Sequence, residues 1–207
     1  MSELDERPGV VWFRRDLRLG DNPAWATATA AHREGVALFV LETRLMDRAG
    51  SLRRNQLLAH LHALDEELRS QGGALTVRQG PAATAVPAVV AETAAAALYL
   101  YSDVTPFSTT RDGAVARSVT TPIHAFHGLT VHEPGVVLTK MGTLSQVFTP
   151  FYRAWTATTP TAWPDPGPGR PGRLSGESIL SPDGPVPQPP GESGAWERVR
   201  AWLDIVD

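Results

Sequence analysis

The sequence predicts an α/β protein: a doubly wound, Rossmann-like parallel sheet of five strands with helices on both faces. Three observations carry this expectation. Short apolar runs recur at Gly9–Phe13 and at residues 36–41, 74–77, 97–101 and 123–126, the pattern of strands buried on both faces. Segments with helical spacing lie between them. The clearest covers residues 52–70, where Leu57, Leu58, Leu61, Leu64 and Leu68 recur three or four apart and Arg53, Asp65, Glu66, Glu67 and Arg69 take the other face. Strands that alternate with helices imply right-handed crossovers and hence a parallel sheet.

Local signals punctuate these elements. Asp21 or Asn22 before Pro23 provides a helix start, because a short polar side chain caps free N–H groups and proline suits the first turn. Gly72 and Gly73 mark the end of the leucine-rich helix. In such sheets ligands bind beyond the carboxyl ends of the strands, where strand order reverses. The loops after Phe13, Leu41 and Tyr101 are therefore the places where a site is expected.

Composition bounds the functional classes. The 207 residues are 42% hydrophobic and 20% charged, enough apolar material for one domain of about 150 residues and a tail. A net charge of -3 does not give the basic footprint of a chain that grips nucleic acid by itself. Without cysteine, disulfide frameworks, thiolate zinc sites and cysteine nucleophiles are excluded. The acidic opening MSELDERPG has the wrong order for a secretory signal, and no apolar stretch reaches the roughly 20 residues of a membrane span. A cytoplasmic location is expected by default.

The division expected along the chain is an α/β domain over residues 1–158, a linker over 159–192 and the start of a further helical unit over 193–207. Half of residues 160–191 are proline or glycine, a composition that buries too little surface to fold alone. The terminal segment then regains helical spacing through Trp196, Val199, Leu203 and Val206. One amphipathic helix after a linker reads as the opening of a second domain; the alternative is a helix folded back onto the first.

The richest cluster is WFRRDLRLGDNPAW, residues 12–25, directly after the first strand. Its arginines and aspartates can meet a ligand or pair with one another, and spacing alone favours a network of Arg14, Arg15, Asp16 and Arg18 that locks the loop. If the strand persists, Arg14 and Arg15 alternate in direction, so one of them faces the crevice.

That string resembles the opening signature of the photolyase and cryptochrome family, in which a first strand runs into an RxDLR-D-N motif. The likeness continues through VALFVLETRL, RRNQLLAHLHALDEEL, LYLYSDVTPFSTTRDGAV and SQVFTPFYRAW, covering residues 9–156 in the family's order. The terminal GESGAWERVRAWL resembles the first helix of the family's flavin domain. The resemblance implies a domain that binds an antenna chromophore and passes excitation to FAD held in a helical domain, which then repairs pyrimidine dimers in UV-damaged DNA. The FAD-binding and DNA-binding residues would lie in that helical partner, missing here or separately encoded. This chain alone is thus expected to lack repair activity and to have no catalytic residues.

Carried over residue by residue, the resemblance assigns the antenna pocket to Phe13, Arg14, Phe39, Leu41, Arg54 and Asp103. Apolar and aromatic contacts would hold a planar ring, while an arginine and a carboxylate fix its polar edge. Folate-binding relatives carry an asparagine and an acidic residue in the loop after the fourth strand, whereas Tyr101, Ser102 and Asp103 stand here. An 8-hydroxy-deazaflavin is therefore favoured over a folate (MTHF) or FMN as the antenna.

Other clusters carry blander expectations. His60 and His62, and His124, His127 and His132, lack the spacing of a helical zinc site and are read as structural, so no metal is expected. Asp112 is placed near a helix start, where it favours the dipole, with Arg111 pairing locally. Phe151, Tyr152 and Trp155 are read as an interdomain apolar seam. Two competing readings remain: a small nucleotide-binding α/β module, which the arginine-rich loop in place of a glycine-rich one disfavours, and an interaction module that docks a separately encoded helical partner.

Overall fold

The computed structural model describes residues 3–139, 141–162 and 164–206. Five strands form the parallel sheet: β1 (Gly9–Phe13), β2 (Glu34–Leu41), β3 (Leu75–Gln79), β4 (Ala97–Tyr101) and β5 (Ile123–Phe126), in the order β3-β2-β1-β4-β5. The order reverses between β1 and β4, so the crevice opens at the carboxyl ends of these two strands. β1 and β4 are buried along their whole length, which explains why both read as unbroken apolar runs.

Each face of the sheet buries its own core. Val11, Phe13, Ala37, Phe39 and Tyr99 face one way, against Trp25 and Ala28 of α1 (Pro23–Ala31) and Leu61, Leu64 and Leu68 of α3 (Ser51–Ser70). Val10, Trp12, Val36, Leu38 and Leu98 face the other way, against Val86 and Val89 of α4 (Ala82–Glu92) and Val115 of α5 (Pro106–Ser118). The two-residue alternation of strand side chains thus feeds both layers from the same strands. A short helix, α2 (Thr43–Arg48), bridges β2 and α3.

The helix ends follow the expected chemistry. Asn22, fully buried, caps α1 by accepting from the Trp25 N–H at 3.0 Å, and Pro23 takes the first helical position. α3 closes with Gly72 at φ +90°, where a residue bearing a Cβ would be strained. The Gly72 N–H then donates to Arg69 and the Gly73 N–H to Leu68, the paired bonds of a Schellman end.

The proline-rich segment departs from the free linker that its composition suggests. Its backbone lies along the domain: Arg170–Pro171 forms a two-residue strand, β6, parallel to the start of β2, and the Glu177 N–H donates to the Val77 carbonyl. Beyond that, the polar residues of α3 receive it in sequence. His62 meets the Leu180 carbonyl at 3.2 Å, Asn55 holds the Asp183–Gly184 turn, and Gln56 engages both the N–H and the carbonyl of Gln188. His60 accepts from the Gly191 N–H at 3.0 Å. Repeated prolines disfavour a helix, yet side-chain amides and imidazoles satisfy an extended backbone without regular structure.

The final helix, α7 (Gly191–Val206), begins two residues before the expected start. It is tethered to the domain by Glu192, whose carboxylate accepts from the Gly20 N–H at 3.1 Å. A Cβ at Gly20 would lie 2.3 Å from a Glu192 oxygen, so a larger residue there would push the flexible Glu192 carboxylate aside.

Because Asn55 is buried and holds the 183–184 turn, Asn55→Ala is expected to raise amide exchange at Gly184 by tenfold or more. Exchange in β1 and β4 should stay protected. Hydrogen–deuterium exchange resolved by residue checks this.

Candidate functional site

The loop after β1 is organised by a buried carboxylate. Asp16, 1% exposed, accepts from the Arg14 N–H at 2.9 Å and from the Asn22 amide at 3.4 Å. Burial pushes its pKa up, against the opposing pull of the Arg14 N–H bond and of the Arg14 and Arg18 guanidinium charges. Asn22 also donates to the Arg18 carbonyl at 2.9 Å, so one amide caps α1 and closes the loop. Asp16 and Asn22 are thus structural members of the motif.

The two arginines diverge as alternation requires. Arg14 turns into the protein with its side chain 8% exposed and pairs with Asp112 of α5 at 2.5 Å. Arg15 stays 67% exposed and reaches Asp103 at 3.4 Å. An exposed pair of the second kind contributes on the order of 0–1 kcal/mol, whereas removing one partner of a buried pair costs about 3–5 kcal/mol. The expected network within the loop is thereby corrected: these partners lie 88 and 98 residues away. Asp112 is corrected too. It sits in the second turn of α5, too deep for the dipole to hold it, and it anchors Arg14. Arg111 pairs locally with Asp112 as expected and also approaches Glu42 at 3.8 Å.

Trp12 receives both guanidinium groups, with the Arg14 and Arg111 carbons 4.8 Å and 4.9 Å from its ring centroid. Nη2 of Arg14 is buried and has no hydrogen-bond partner among the described residues. Beside it lies a void of about 30 Å³ bounded by Arg14, Asp16, Tyr101, Asp103 and Arg111, large enough for a water.

Asp103 starts α5. Its carboxylate accepts from the Thr105 N–H and the Ser108 hydroxyl, each at 3.0 Å. Burial raises its pKa, and the Thr105, Ser108 and Arg15 bonds outweigh burial, holding the group below the ordinary 3.8.

Above these residues opens a crevice of about 430 Å³, within the size range of small-molecule sites. Five of the six residues assigned to the pocket line it: Phe13, Arg14, Phe39, Arg54 and Asp103. Phe13 and Phe39 are core residues that offer only an edge, being 0% and 7% exposed. The sixth, Leu41, lies outside the crevice and lines a neighbouring cleft of about 400 Å³, to which Arg54 and Met46 also contribute. Sequence reasoning missed Trp12, Glu42, Arg53, Phe107 and Arg111 on the crevice wall. Glu42 follows from position, being the first residue after β2; Arg53 sits beside Arg54 in the first turn of α3, and Phe107 comes from α5, whose facing side no periodicity signals.

The histidines of α3 have structural partners, described above, and burial lowers the pKa of His60. Among the described residues no cluster of metal-ligating side chains occurs, and no helix is long and apolar enough to cross a membrane. On α6 (Phe148–Ala157), Phe148, Phe151 and Tyr152 are exposed, as are Trp196, Trp202 and Leu203 on α7.

Arg14→Met leaves Asp112 with Arg111 alone and is expected to cost about 1.5–3 kcal/mol, the range for a lost hydrogen bond to a charged group. Adding Asp112→Leu should recover at least ~1 kcal/mol, which a double-mutant cycle in urea measures. Asp103→Ala is expected to cost ~1 kcal/mol at neutral pH. Because the folded pKa is depressed, that difference is present above the unfolded value near 3.8 and is lost as pH falls through the lower folded value. Urea unfolding between pH 7 and pH 3 follows it.

Comparison with known proteins places the chain. A family model described as DNA photolyase matches residues 9–168. A deoxyribodipyrimidine photo-lyase of Thermus thermophilus is 33% identical over 95% of this chain and 45% of its own length; one from a Synechococcus strain is 30% identical with the same coverage. A class III photolyase of Agrobacterium tumefaciens superposes with a TM-score of 0.84 at 28% identity, over 98% of this chain and 46% of that one. A photolyase of Sulfolobus tokodaii, solved with two FAD molecules, shares the fold at a TM-score of 0.69 and 24% identity, over 85% of this chain and 40% of its own. The chain spans about half the length of the curated relatives it matches. It carries the N-terminal α/β fold of these proteins and belongs to the DNA photolyase family.

Proposed function

We propose that this chain is the antenna domain of a photolyase or cryptochrome, holding a planar heteroaromatic chromophore in the crevice at the β1–β4 switch point. The carrying observation is the crevice wall itself. Phe107 supplies aromatic surface, the buried Phe39 and Trp12 supply edges, and Arg14, Arg53, Arg54 and Arg111 supply donors around them. Neither a nucleophile and base pair nor a metal is needed to bind a pigment, and excitation transfer asks only that the ring be fixed in position. The antenna is best read as an 8-hydroxy-deazaflavin.

In this reading the light-driven chemistry belongs to a helical FAD domain, whose docking would cover the exposed aromatic faces of α6 and α7. DNA would be reached through that domain, consistent with a net charge of -3.

Titration with 8-hydroxy-5-deazariboflavin is expected to shift and quench the pigment's fluorescence. Arg54→Ala should weaken binding about tenfold by removing a charge-assisted hydrogen bond. A wild-type chain that leaves the fluorescence unchanged at millimolar pigment would contradict the proposal. With FAD and light but no helical partner, cyclobutane dimers in UV-irradiated DNA should remain; their loss would show that the chain needs no such domain.

A further inference from the structure

The cleft beside the crevice has a different chemistry. It lies between α2, the start of α3 and residues 180–183 of the proline-rich segment, with Leu41 and Leu58 at its base. Thr43, Asp47, Gln79, Ser181 and Asp183 form its rim. It meets the crevice at Met46 and Arg54, which line both. An aromatic compartment therefore adjoins, across Met46 and Arg54, one walled by hydroxyl, amide and carboxylate groups.

The charges of this second compartment are one-sided. Arg54 is its only cation among the described lining residues, and Asp183 already engages it at 3.3 Å. Asp47 has no hydrogen bond or ion pair with any described residue. One carboxylate paired with the guanidinium and a second left unpaired give the cleft an excess of negative charge, which accepts hydrogen bonds from hydroxyl groups and repels an anion. Asp183 is itself held by the buried Asn55, so its carboxylate cannot simply swing away.

We propose that this cleft receives the side chain of the ring ligand, and that Asp47 and Asp183 make the protein select an uncharged, polyhydroxylated tail over a phosphorylated one. The inference rests on the chromophore reading of the crevice and deepens it. The ring would lie among the aromatic residues while its tail passes Met46 and Arg54 to hydrogen-bond with the rim. The proline-rich segment becomes part of the site, since Ser181 and Asp183 come from it. Selection against a terminal phosphate separates a deazaflavin carrying a free ribityl tail from FMN, a choice the aromatic crevice alone does not make.

Three probes test this on the full chain by fluorescence titration: an 8-hydroxy-5-deazaflavin ring with only a methyl tail, the same ring with a ribityl tail, and the ribityl 5′-phosphate. The ribityl compound is expected to bind at least tenfold tighter than the methyl compound and at least tenfold tighter than the phosphate. In the Asp47→Asn, Asp183→Asn double variant, which keeps size and hydrogen-bonding capacity, the phosphate should gain tenfold or more and the methyl compound should change less than threefold. Equal binding of methyl and ribityl compounds overturns the tail site while leaving the ring site standing. Wild-type affinity for the phosphate equal to or above that for the ribityl compound overturns the selectivity. Absence of binding by all three overturns the chromophore reading and this inference with it.

Discussion

The buried ion pair between Arg14 and Asp112 is the contact on which the crevice depends. It joins the residue just past β1 to the second turn of α5 and so fixes the distance across the switch point, at its inner end. A guanidinium taken out of water costs several kcal/mol unless it is paired and packed. Here Asp112 supplies the charge and the Trp12 ring supplies a face. Arg111 then stacks on the same ring and extends the cationic wall towards Glu42 after β2. Charge, aromatic surface and strand order converge on one place, and the cavity follows from that convergence.

A second set of polar contacts does for the proline-rich segment what the ion pair does for α5. Asn55, Gln56, His60 and His62 stand on one stretch of α3 and take up successive backbone groups between Leu180 and Gly191. A segment that could not fold by itself is ordered because a helix already held by its leucine face offers partners at the right spacing. This arrangement brings Ser181 and Asp183 to the rim of the cleft beside the crevice and delivers α7 to the loop after β1, where Glu192 meets Gly20.

Much of the fold was legible in the sequence for a simple reason. Strands buried on both faces leave unbroken apolar runs, and β1 and β4 coincide with theirs; the leucine period of α3 and the Asn22–Pro23 start of α1 are equally local. What the sequence hides is long range. Asp112 resembles a residue of a first turn until Arg14, 98 positions earlier, is seen to meet it. The polar face of α3 resembles a solvated face until the segment it binds is laid on it. Of the site, Phe13, Arg14, Phe39, Arg54 and Asp103 were reachable because they sit at strand ends or at a helix start, whereas Leu41 points into the adjacent cleft and Phe107 enters from α5.

The central claim is that a planar pigment sits at the β1–β4 switch point, against Phe107 and the edges of Phe39 and Trp12. A crystal structure of the chain with 8-hydroxy-5-deazariboflavin tests it most directly. The account predicts ring density in that crevice with a polar ring atom within hydrogen-bond distance of Arg53, Arg54 or Arg111. Ring density instead in the cleft between α7 and the loop after β1, against Trp196 and His60, would contradict it.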